Sequence, residues 1–103
     1  MKVDKNFFLG KKILIYGLGK SGISSFKFLK NKADVFLFDD NKKIKQKMIS
    51  FDQLLKTKFD RIIISPGIDI LNCKLSKFLK KNFSKIYTDL DVFYSFYKNK
   101  SIA

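Results

Sequence analysis

No histidine occurs anywhere in the sequence, which removes from this chain every catalytic triad and zinc site that depends on imidazole. Cysteine is nearly absent too. Cys73 stands alone, so no internal disulfide can form, and one thiol between Asn72 and Lys74 reads as a small buried hydrophobe before it reads as a nucleophile. Long apolar runs are missing: Ile13–Tyr16 and Ile62–Ile64 fall far short of the roughly 20 residues that a membrane-spanning helix needs. The opening stretch from Met1 to Lys12 carries Asp4 and only a brief apolar patch, which is not a secretory signal. No membrane insertion is therefore expected, and the cytosol is the expected compartment.

Arginine is reduced to Arg61 among 22 basic residues. The formal charge of +13 would attract phosphate backbones through counterion release. Base readers and phosphate clamps, however, draw on the bidentate fork of arginine, which lysine lacks. The lysines accompany abundant Asn, Ile and Phe, a composition that follows from a bias toward A and T, and they read as solvated helix faces. No nucleic-acid partner is expected.

Apolar residues, by contrast, make up 46% of the 103 residues, with 12 Phe and 4 Tyr in short runs separated by polar punctuation. That suits a single packed domain. Residues 12–16 form an apolar run that stops at Gly17, after which Ile23, Phe26 and Leu29 recur at helical spacing, predicting a helix from about Ser21 to Lys30. A second β-rich run covers 33–40 and ends in Asp39 and Asp40, so strand, helix and strand form a parallel βαβ unit. After a Lys-rich segment at 41–48, the pattern predicts a short helix over Phe51–Lys56 and a third strand at 61–65, stopped by Pro66 and Gly67.

Residues 74–82 predict an amphipathic helix with Leu75, Phe78 and Leu79 on one face. A fourth strand is expected at 85–89, and then a helix from Leu90 whose Phe93, Tyr94 and Tyr97 pack inward. Ser101, Ile102 and Ala103 read as the first residues of a further strand, and so as a truncation. Near-continuous hydrophobic strands alternating with helices predict an α/β, Rossmann-like open parallel sheet with helices on both faces.

Gly17-Leu18-Gly19-Lys20-Ser21-Gly22 is a G-x-G-x-x-G pattern placed after a strand and opening a helix, the context in which it binds a phosphate. Gly17 permits the tight turn, Gly19 lets backbone approach the ligand, and Gly22 lets helix and strand pack closely. Free N–H groups at the helix start favour an anion, to which Ser21 can add a hydroxyl and Lys20 a charge. Without a ligand, the same glycines would simply make a tight turn. Asp39 lies 20 residues after Gly19, the spacing at which a dinucleotide fold sets an acid on a ribose hydroxyl, although Asp39 and Asp40 also suit a solvated strand end. Ser65, Pro66 and Gly67 close the third strand at the sheet edge where such folds bind ligands, or else form a plain turn.

Together, the residues from Ile13 to Leu29, Phe38-Asp39-Asp40, Ile62 to Ile68 and Tyr87 to Phe93 occur in an order and spacing that resembles the D-glutamate-adding Mur ligases of peptidoglycan synthesis, from about Lys11 to Ala103. The resemblance implies a first domain that grips the UDP of UDP-N-acetylmuramoyl-L-alanine. It implies that Gly17, Gly19, Lys20, Ser21 and Gly22 hold the diphosphate, and that Asp39, Asp40, Ser65, Pro66 and Gly67 lie near the uridine. Where that family often has a basic residue after the second-strand acids, this chain has Asn41.

The implied reaction uses ATP and Mg²⁺: the muramoyl-alanine carboxylate becomes an acyl phosphate that the D-glutamate amine attacks. The resemblance assigns the ATP loop, metal ligands and D-glutamate site to parts of the family beyond these residues, and "KNKSIA" resembles the lead-in to them. No catalytic residue, metal ligand or cofactor is therefore expected within this chain, which is expected to be inactive alone and monomeric. Two other readings stay open. One is an NAD-binding module of a dehydrogenase or of a potassium-channel regulatory domain, with Asp39 on the ribose; the other is a nucleic-acid binder with no nucleotide pocket.

Overall fold

In a computed structural model that describes residues 7–41 and 43–97, four parallel strands form one sheet in the order β2-β1-β3-β4. The strands are β1 (Lys12–Tyr16), β2 (Asp34–Phe38), β3 (Arg61–Ile64) and β4 (Ile86–Tyr87), and the helices are α1 (Lys20–Leu29), α2 (Phe51–Lys56), α3 (Ser76–Lys81) and α4 (Asp89–Tyr97). The α/β, Rossmann-like architecture expected from the sequence is thus the one observed.

Alternation along the strands explains why both faces are covered. Leu14, Tyr16, Ile62 and Ile64 point to one side, where Leu54 of α2 and Leu75 and Leu79 at α3 meet them. Ile13, Ile15 and Ile63 point to the other, against Leu29 of α1 and Val92 of α4. Each such fully buried Leu or Ile contributes roughly 1.5–3 kcal/mol of hydrophobic stabilisation. β1 is flanked on both sides, with Tyr16 beside Phe38 of β2 and Ile64 of β3, so three strands end at one level. From β1 the chain moves outward in one direction to β2 and in the other to β3, which opens a crevice at the carboxyl edge where such folds take ligands.

Local chemistry sets the helix ends. Ser50 caps α2, its hydroxyl accepting the Gln53 N–H at 3.2 Å, and the element spans the residues expected. α1 begins and ends one residue before the sequence reading, and α3 is shorter, at Ser76–Lys81.

The fourth strand expected at 85–89 is reduced to Ile86–Tyr87, because a 3-10 turn at Phe83–Lys85 precedes it and a helix cap follows. Thr88 N–H donates to the Asp91 carboxylate at 2.9 Å and Asp91 N–H donates back to the Thr88 hydroxyl at 3.4 Å, a reciprocal cap that takes these residues out of the strand.

That cap also fixes the phase of α4. Val92 becomes the fully buried residue, Phe93 packs half-buried on Phe28 with ring centroids 5.4 Å apart, and Tyr94 is 63% exposed, which corrects its expected inward packing. The Tyr97 side chain, Lys42 and the strand expected at 101–103 lie outside the described residues. Cys73 is half-buried, packed on the α2/α3 side of the core. No described helix is long and apolar enough to cross a membrane.

Candidate functional site

The chain leaves β1 through Gly17, whose φ of +97° is open to glycine at little cost and strained for other residues. Its N–H donates to the Phe38 carbonyl at 2.9 Å, and the Ser65 hydroxyl donates to its carbonyl at 2.9 Å. A Cβ on Gly17 would stand 2.8 Å from Ser65 Oγ, and one on Gly22 would overlap the Gly17 carbonyl. Gly17 and Gly22 therefore serve the turn and the helix packing that the sequence assigned to them.

Gly19 differs. It is the N-cap of α1 with φ −76°, an ordinary value, and a Cβ there would meet nothing within 4 Å. Neither backbone strain nor packing calls for glycine at this position.

As the N-cap is a glycine and the first turn of α1 holds no acid, no side chain satisfies the helix start. The amides of Lys20, Ser21 and Gly22 find no acceptor among the described residues. Such free amides, with the positive end of a ten-residue helix behind them, attract an anion.

The Lys20 and Ser21 amides open into a cleft of about 410 Å³, within the usual range for small-ligand sites. Gly17, Gly19, Lys20 and Ser21 line one wall, Asp39 another, and Ser65, Pro66 and Gly67 the third. Eight of the ten residues singled out by sequence thus share one cleft, together with Ile68, which the sequence reading missed.

Gly22 and Asp40 do not line it. Gly22 sits beneath the turn, while both Asp40 oxygens accept from the Tyr16 hydroxyl, at 2.9 and 2.8 Å. Tyr16 is completely buried. Burial first, then Asp40, then Cys73, hold its phenol well above the usual range.

Asp39 is also engaged. Its Oδ2 accepts the Leu18 N–H at 2.6 Å and its Oδ1 the Asn41 N–H at 2.7 Å, so the acid fastens the glycine turn to the end of β2. Asn41 is a turn residue, its side-chain oxygen accepting the Lys43 N–H at 3.0 Å. Beyond the Ser-Pro-Gly turn, the exposed Asp69 carboxyl is held below its usual range by the Asn72 side chain and the Leu71 N–H. Tyr16 and the Leu18 amide were the functional groups missed; the one clue was a phenol ending an otherwise aliphatic buried strand.

Fold and cleft define a Rossmann-like α/β module with a glycine turn at its sheet's switch point. By sequence the chain belongs to the UDP-N-acetylmuramoylalanine–D-glutamate ligase family. It is 32% identical to the enzyme of that name from Lachnoclostridium phytofermentans over 93% of this chain and 24% of that protein. It is likewise 32% identical to that from Rickettsia felis over 86% of this chain and 22% of that protein, and 32% identical to that from Aquifex aeolicus over 89% and 21%. The chain therefore spans about a quarter of the length of the curated relatives it matches. No protein-family model matches it, and no solved structure gives a significant match.

Proposed function

We propose that this chain is the UDP-binding domain of an ATP-dependent ligase, a cytoplasmic monomer, that adds D-glutamate to UDP-N-acetylmuramoyl-L-alanine in peptidoglycan synthesis. The relatives' shared name supports the ligase role. The observation that carries the binding role is the cleft in which the free helix amides, Asp39 and the Ser-Pro-Gly turn converge.

In this reading the diphosphate rests on the amides of Lys20 and Ser21, where water is the competing partner and the helix dipole favours negative charge. Gly19 lets the phosphate approach the backbone, and the Lys20 ammonium adds a mobile countercharge. The uridine lies toward Asp39 and the turn from Ser65 to Gly67. ATP would supply the phosphoryl group that activates the muramoyl-alanine carboxylate, and Mg²⁺ would screen the phosphates. Among the described residues no three acidic or cysteine side chains gather to hold a metal ion.

The NAD reading would set Asp39 on a ribose, and against it stands the shared ligase name of the relatives. A thermal-shift panel of UDP-N-acetylmuramoyl-L-alanine, other UDP-sugars, NAD, NADP and an oligonucleotide separates the readings, since a ligand bound only by the folded state raises the melting temperature with its occupancy. The UDP-linked ligands are expected to raise it. A shift with NAD or the oligonucleotide and none with UDP ligands overturns the proposal.

A further inference from the structure

We propose that Tyr16 and Asp40 form a positioning pair for the nucleotide cleft, with Asp40 acting through the Tyr16 hydroxyl and not on the uridine. The inference rests on the UDP-binding reading.

Tyr16 is the last residue of β1, one position before the glycine turn, and its ring is buried on the α2/α3 side of the sheet beside Phe38 at 5.9 Å. Its hydroxyl meets the two loops that flank the cleft. On one side it donates to the Asp40 carboxylate, two residues past the end of β2. On the other lies Cys73, in the loop that follows the Ser-Pro-Gly turn, which helps to hold the phenol's pKa up.

Asp39 and Asp40 follow the end of β2, and their carboxylates go to different partners. Asp40 is held by the phenol beneath the sheet edge, while Asp39 reaches the Leu18 amide inside the glycine turn at 2.6 Å. Holding Asp40 therefore holds Asp39, and Asp39 sets the path of Leu18 into Gly19. The burial that raises the phenol's pKa keeps it protonated, so it remains a donor throughout the physiological range. By this geometry the acid that faces ligand is Asp39, which lines the cleft, and Asp40 does not touch it.

The test combines backbone amide exchange in the free chain with calorimetric titration of UDP. In Tyr16→Phe, the Leu18 and Asn41 amides are expected to exchange about fivefold faster, as loss of one hydrogen bond allows, while core amides such as Leu79 keep their rates. UDP affinity is expected to fall about fivefold in Tyr16→Phe and in Asp40→Ala, with no further loss in the double variant. Asp40→Asn keeps an oxygen that accepts from the phenol and is expected to bind within about twofold of wild type. Unchanged Leu18 exchange in Tyr16→Phe, or Asp40→Asn as weak as Asp40→Ala, overturns the proposal, the latter by putting the carboxylate on the ligand. If wild type does not bind UDP, the nucleotide reading falls, and Leu18 exchange alone decides whether the pair positions the turn.

Discussion

Gly22 lies directly beneath Gly17, so close that a Cβ on the first would overlap the carbonyl oxygen of the second, whereas a Cβ on Gly19 between them would enter open space. Three glycines of one pattern thus answer to different demands. Gly22→Ala is expected to destabilise the chain by about 1–3 kcal/mol through overpacking at a backbone carbonyl that cannot yield cheaply. Gly17→Ala is expected to be destabilising as well, through its φ of +97° and the nearby Ser65 hydroxyl. Gly19→Ala should unfold within about 0.5 kcal/mol of wild type. Urea denaturation of the three variants checks this, and equal losses at all three positions would contradict it.

The buried Tyr16 phenol makes a prediction in alkali. Its folded pKa is raised above the unfolded value of about 10, so the stability it contributes is fully present below about pH 10 and is lost as pH rises toward the folded value. Spectrophotometric titration is expected to leave one of the 4 tyrosines protonated until the chain unfolds. Tyr16→Phe should abolish that late, unfolding-linked phase. A Tyr16→Phe titration that retains it would contradict the assignment.

The phase of α4 is testable by truncating one inward and one outward side chain. Val92→Ala removes fully buried methyl groups and is expected to cost on the order of 2 kcal/mol. Tyr94→Ala, at a position 63% exposed, should cost less than about 0.5 kcal/mol. The reverse order in a denaturation experiment would mean that the helix is rotated.

The elements that were legible in the sequence are those set by near neighbours. β1 ends at a glycine, α2 spans the expected Phe51–Lys56, and Gly17 and Gly22 make the turn and the close packing that their spacing implies. What was not legible depends on distant or competing partners. β4 is only as long as its pairing with β3 allows, and the Thr88–Asp91 cap claims residues that by composition looked like strand. The Tyr16–Asp40 contact joins residues 24 apart, and no periodicity reveals which of two adjacent acids turns toward the cleft.

Catalysis is expected to need more than these residues supply. Purified chain mixed with UDP-N-acetylmuramoyl-L-alanine, ATP, Mg²⁺ and D-glutamate should release no ADP above background, since the chain spans only about a quarter of the length of the ligases it matches. D-glutamate-dependent ADP release would overturn that expectation.

The central claim is that the free amides at the start of α1 cradle the diphosphate of a UDP-linked ligand. Gly19→Val addresses it most directly, because the backbone there has an ordinary φ and a Cβ meets nothing, while a branched side chain would project toward the ligand's path. Calorimetric titration of wild type and Gly19→Val with UDP-N-acetylmuramoyl-L-alanine, with NAD as the comparison and circular dichroism on the same samples, gives the decisive readout. The expected result is that wild type binds the UDP ligand more tightly than NAD, and that Gly19→Val melts like wild type yet loses that binding. A variant that melts like wild type and binds the UDP ligand with unchanged affinity would contradict the claim.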